Sequence, residues 1–116
     1  MCNKRLSIII PFYNVEQYIA QCLDSVYEQD IPEAEYEVIC VDDCSPDNSL
    51  SIVERYAKEH SNLVIVRNKI NRKLGGARNA GMEVATGNYI WFIDSDDFVE
   101  KDCFSKLLSI AEREDL

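Results

Sequence analysis

Three short segments carry residues able to do phosphate and metal chemistry. They are Asp42-Asp43-Cys44-Ser45, Asp94-Ser95-Asp96-Asp97, and residues 67–78, where Arg67, Lys69, Arg72, Lys73 and Arg78 stand with no acid between them. Alternate side chains of an extended chain share a side, so Asp94 and Asp96 would present oxygens together. That donor type suits Mn²⁺ or Mg²⁺, hard ions that take a few carboxylates and keep positions for phosphate oxygens. A D-x-D string by itself is commonly a solvated turn; what gives this one weight is the apolar strand that delivers it. Asp42 and Asp43 are adjacent and should face opposite ways, so one of them is expected to meet a given ligand. An ionised carboxylate only accepts hydrogen bonds; it could read uracil N3–H or guanine N1–H and would reject the acceptor edge of adenine. Tyr13 offers a ring for stacking on a base, or equally a core or rim aromatic. The basic stretch reads either as a solvated loop or as a patch meeting phosphate, where Gly75 and Gly76 would let backbone N–H groups approach at a helix start. Arg78 is its leading candidate, because a guanidinium matches phosphate bidentately.

These segments need a frame, and hydrophobic periodicity supplies one. Apolar runs at 6–10, 36–41, 63–66 and 89–93 alternate with helical patterns at 15–28, 45–59, 75–85 and 101–113. Pro11 should stop the first strand, Asn14 should cap the helix after it, and Ser45-Pro46-Asp47 offers a cap and a first-turn proline for the second. Strands apolar throughout, separated by amphipathic helices, imply an α/β fold: a mostly parallel sheet with helices on both faces. Residues 1–116 then form one domain, and ligands bind beyond the carboxyl ends of the strands, where the segments around Tyr13, Asp43 and Asp96 all fall. Five carboxylates on that rim would repel one another unless hydrogen bonds, protons or a cation compensate.

Composition narrows the function. A net charge of −9 removes broad attraction to nucleic acid or anionic lipid. No run approaches the roughly 20 apolar residues of a membrane span, and no secretory leader is visible, so a soluble cytoplasmic chain is expected. The five cysteines, Cys2, Cys22, Cys40, Cys44 and Cys103, contain no C-x-x-C and fit a reducing compartment. His60 is the single histidine and is expected at the surface where a helix ends, which removes His-based triads and His-rich zinc sites. Neither a G-x-x-x-x-G-K-[ST] nor a G-x-G-x-x-G string is present.

Four motifs in order resemble the inverting family-2 glycosyltransferases with the GT-A (Rossmann-like) nucleotide-diphospho-sugar-binding fold. Leu6 to Asn14 resembles the family's opening strand and loop, Val41-Asp42-Asp43-Cys44-Ser45 its second-strand acidic motif, Ala77-Arg78-Asn79-Ala80-Gly81 its third-helix motif, and Asp94-Ser95-Asp96-Asp97 its metal motif. The resemblance implies that Pro11, Tyr13 and Asp43 line a nucleoside pocket supported by Asp42. Arg78 would lie near the diphosphate, and Asp94 and Asp96 would hold ribose and metal, Asp96 the more directly. It further implies a nucleotide-diphosphate sugar donor, usually a UDP-sugar, Mn²⁺ or Mg²⁺, and a glycan, lipid or protein acceptor. The family's usual Asn-x-Gly is replaced by Asn71-Arg72-Lys73, with glycines shifted to Gly75 and Gly76. Similarity also places the catalytic base beyond Leu116, so a donor-binding part of a longer enzyme, inactive alone and associated as a whole with the inner membrane face, is expected. Two other readings are a nucleotide-sugar-binding module without catalysis and a phosphoacceptor receiver domain with Asp94 as acceptor. Against the receiver, the acidic pair lies on the second apolar strand and no lysine-bearing strand follows Asp94.

Overall fold

The computed structural model describes residues 4–71 and 73–113, the side chain of Leu74 excepted; Cys2 and Arg72 lie outside the described residues. Four strands form one sheet: β1 (Leu6–Phe12), β2 (Tyr36–Asp42), β3 (Leu63–Arg67) and β4 (Tyr89–Phe92). They alternate with helices α1 (Ile19–Val26), α2 (Ser49–Glu59), α3 (Lys73–Val84) and α4 (Cys103–Arg113), and a single 3-10 turn at Glu33–Glu35 leads into β2. The spatial order is β3-β2-β1-β4, and every ladder is parallel.

β1 and β2 are buried along their whole lengths, as continuous apolar runs in a parallel sheet should be. Alternation splits their side chains between two cores. Ile8, Ile10, Phe12, Val38 and Cys40 meet α1, α2 and α4 through Leu23, Val53, Phe104 and Leu108. Ile9, Ile39 and Val41 meet Ala77 and Ala80 of α3 on the other face. Beneath α3, the Glu37 carboxylate accepts from the Ser7 hydroxyl at 2.5 Å and the Thr86 N–H at 2.6 Å, while the Gly87 N–H donates to Ser7 Oγ. This buried polar knot fixes the turn between α3 and β4.

Pro11 does not stop β1; the strand runs to Phe12. The Asp43 N–H donates to the Phe12 carbonyl and the Ile93 N–H to the Ile9 carbonyl, so alternation aims the nitrogen of Pro11 at the β4 side. The missing donor therefore falls where the β4 ladder has ended, since β4 pairs only with Leu6 through Ile9. β1 continues along β2 while the chain after β4 departs, which opens a cleft between them.

Asn14 is not a helix cap. It adopts φ 56°, and α1 begins at Ile19, later than the periodicity implies. The turn ahead of α1 is capped from a distant segment: Ser49 Oγ accepts from the Val15 N–H and Asp47 Oδ2 from the Glu16 N–H. Asp47 also accepts from the N–H and hydroxyl of Ser49 through Oδ1, so α2 starts at Ser49, after Pro46 rather than around it. His60 does end α2, but its ring is half-buried, stacked on Tyr27 at 3.6 Å and bonded to Glu33.

Candidate functional site

The sheet order reverses at β1, with β2 on one side and β4 on the other, and a cavity of about 490 Å³ lies beyond the carboxyl ends of these strands. This is where an open parallel sheet accepts ligands. Its described walls come from Pro11, Phe12, Tyr13 and Val15 after β1, Asp43 after β2, Asn71, Lys73 and Ala77 at α3, and Asp94, Ser95 and Asp96 after β4.

Asp42 and Asp43 part as alternation requires. Asp42 Oδ1 accepts from the Ser45 N–H at 2.9 Å, holding a loop in which Cys44 takes φ 68°. Asp42 is thus buried outside the cavity's described wall, which takes Asp43, Asp94 and Asp96 of the five carboxylates expected on the rim. Asp43 lines the cavity, and its Oδ1 accepts from Asn68 Nδ2 at 2.9 Å. Tyr13, half exposed, stands on the same wall.

Asp94 and Asp96 come together, though not by strand alternation. The Asp97 N–H donates to the Asp94 carbonyl at 3.0 Å, so the segment is a tight turn. The turn gathers oxygens of Asp94, Asp96 and Asp97 within 4.8 Å of one another, adding Asp97 to the two carboxylates read from the sequence. The buried Cys22 thiol donates to the Asp94 carbonyl at 3.8 Å and seats this turn on α1. Burial among apolar neighbours, reinforced by these aspartates, pushes the Cys22 thiol up to about 12. Three exposed carboxylates and no softer ligand form a donor set suited to Mg²⁺ or Mn²⁺.

The described residues of the basic stretch do not form one patch on the cavity. Arg67 and Lys69 are exposed and absent from the cavity's described wall. Arg78 is also outside that wall: its guanidinium lies 5.3 Å from the Phe92 ring centroid, and Nη2 is 3.7 Å from Asp94 Oδ1. Its Nε is buried and bonds to no described group. Gly75 and Gly76 do not open α3, which starts at Lys73. The left-handed residue at that entry is Lys73 itself, φ 62°, its N–H donating to Asn71 Oδ1 at 2.8 Å. Asn71, Ala77 and Ser95 were not legible as wall residues and Lys73 only as one charge of the basic stretch, although the Asn-x-Lys string signals the side-chain-bonded turn that places Asn71 and Lys73.

A parallel α/β sheet with an acidic cavity at its switch point is the arrangement in which open α/β domains accept ligands. The chain belongs to glycosyl transferase family 2, whose family model matches residues 7–116. It is 46% identical over 96 residues to the poly(ribitol-phosphate) beta-glucosyltransferase of Bacillus spizizenii, covering 82% of this chain and 15% of that protein. Among solved structures, S. aureus TarS 1-349 in complex with UDP-GlcNAc superposes with a TM-score of 0.89 at 37% identity, covering 94% of this chain and 31% of that one. The mannosyltransferase PcManGT from Pyrobaculum calidifontis, in complex with GDP-Man and Mn²⁺, gives a TM-score of 0.77 at 35% identity, covering 83% and 28%. The fold is therefore that of part of a GT-A domain, and the receiver-domain reading falls. The chain spans less than a third of the length of each of these relatives.

Proposed function

We propose that this domain binds a nucleotide-diphosphate sugar, with a UDP-sugar the favoured donor, for inverting transfer of the sugar to an acceptor hydroxyl. The observation that carries the reading is that Asp43, from the end of β2, and Asp94 and Asp96, from the turn after β4, line one cavity. A nucleoside could then lie with its base against Asp43 and Tyr13 and its diphosphate toward the acidic turn. Asp43 would accept from uracil N3–H and Tyr13 would supply a stacking face, with Pro11 shaping the floor and Asp42 stiffening the loop. The complexes of similar proteins with UDP-GlcNAc and with GDP-Man and Mn²⁺ support a donor of this class.

Asp96, Asp94 and Asp97 are the residues that would hold Mn²⁺ or Mg²⁺. A bound divalent ion would stabilise negative charge on the departing diphosphate as a Lewis acid. Arg78 keeps Asp94 oriented and adds positive charge beside it. The cavity carboxylates are all given to base or cation in this assignment, which leaves none of them as the acceptor's general base, so the 116 residues alone should turn over slowly. The B. spizizenii relative's name supports a polymeric acceptor rich in hydroxyls. Cys22, Cys40, Cys44 and Cys103 are free thiols, which supports a cytoplasmic setting. No described helix is long and apolar enough to cross a membrane.

Calorimetric titration of UDP, GDP and ADP, with and without Mn²⁺, tests the assignment on the wild type and on Asp96→Ala. UDP should bind best, in a metal-dependent way that Asp96→Ala largely removes. Equal weak binding of all three nucleotides, indifferent to metal, would overturn it.

A further inference from the structure

Among the described residues lining the cavity, Lys73 is the one cation. Asp43, Asp94 and Asp96 share that wall, yet no described carboxylate lies within ion-pair distance of the lysine, whereas Arg78 faces Asp94. Lys73 is exposed and enters α3 with φ 62°, a backbone conformation that glycine adopts freely and a residue with a Cβ does not. Asn71 Oδ1 holds it there through the Lys73 N–H. Two glycines stand nearby in the sequence, Gly75 and Gly76, and neither occupies the left-handed position. A strained lysine with no carboxylate partner among the described residues, on an acidic wall, is poorly explained by folding alone. It is well explained by an anion that arrives later.

We propose that Lys73 contacts the diphosphate of the donor, as a specificity-determining residue that favours nucleotides carrying phosphate over the bare nucleoside. The inference rests on the donor-binding reading above. An ammonium on a flexible stem can follow phosphate oxygens without a fixed geometry, which suits an exposed cavity mouth. Its charge supplements a divalent ion on the acidic turn rather than replacing it, because the two lie on separate wall elements, the entry to α3 and the turn after β4.

The test compares UDP with uridine by calorimetry in Mn²⁺, using the 116-residue wild type, Lys73→Gly, Lys73→Gln and Lys73→Arg. Both neutral variants should lose about tenfold in UDP affinity, Lys73→Arg should retain most of it, and uridine should bind all four proteins alike. The UDP deficit should shrink as salt is raised, as a contact made at an exposed mouth requires. Unchanged UDP affinity in both neutral variants would overturn the proposal, and so would equal losses for UDP and uridine, which would mean a distorted pocket. Failure of the wild type itself to bind UDP would instead overturn the donor reading. The two failures are thus distinguishable, and the paired neutral variants guard against one that folds poorly.

Discussion

At Lys73 the backbone makes its own prediction, separate from any ligand. A non-glycine residue held at φ 62° carries strain on the order of 1 kcal/mol. Lys73→Gly should relieve part of it and stabilise the free domain by roughly 0.5–1 kcal/mol, read as a higher urea midpoint with an unchanged slope. Asp43 gives a prediction in selectivity. Asp43→Asn keeps an acceptor for Asn68 but replaces a charged acceptor facing the base with an amide that can also donate. UDP affinity should fall about tenfold, whereas CDP, whose N3 is an acceptor, should not fall; parallel losses in competition binding would refute the base contact. The parting of Asp42 from Asp43 was legible because strand alternation is strictly local. The convergence of Asp94 and Asp96 was legible in outcome and not in cause, since the turn bond from Asp97 is a backbone event with no side-chain signature. Lys73 was legible only as one charge among five.

Helix α3 decides where Arg78 and the entry to the cavity stand, and small residues let it sit close on the sheet. A Cβ built at Gly81 would lie 2.5 Å from Ile9 Cγ2, nearer than side chains tolerate, and a tight 3.3 Å from Val41 Cγ2. Ala77 and Ala80 complete the same contact with Ile9, Ile39 and Val41. Gly81→Val should therefore lift the helix, destabilising the domain by about 1–3 kcal/mol and weakening UDP binding although Gly81 is absent from the cavity wall. Chemical denaturation and calorimetry on the same variant check both; loss of stability with full UDP affinity would show that the site does not depend on the seating of α3. Strands were readable to within a residue or two because each is a short apolar run between turn signals. The start of α1 was not, because the groups that cap its approach, Ser49 and Asp47, belong to the next helix's entry. Contacts across more than thirty residues leave no mark on local periodicity.

Across the whole molecule, the sheet order and the proline in β1 together generate the site. The reversal at β1 sends β2 and β4 to opposite sides, and pairing with β4 stops at Ile9, so that Pro11, which lacks the next donor toward β4, lies where the acidic turn separates from Tyr13. The turn is seated on α1 through a thiol, and that thiol can report on its opening. Cys22 is fully buried with its pKa pushed up to about 12, so alkylation near neutral pH requires both exposure and ionisation. Cys40 is equally buried, in central β2, and its thiol is likewise raised by burial. Cys103 is half-buried at the start of α4. In the native protein Cys103 should label before Cys22, and Cys22 before Cys40, because local opening of a turn is easier than opening of a central strand. If a cation bridges Asp94, Asp96 and Asp97, it ties the turn closed. Mn²⁺ with UDP should then slow Cys22 labelling several-fold, by the factor through which binding disfavours the open state, and leave Cys103 unchanged. Peptide mass spectrometry over a labelling time course measures all three thiols at once. Slowing at Cys103 to the same extent would point to general stabilisation, and no slowing at Cys22 would detach the acidic turn from cation binding.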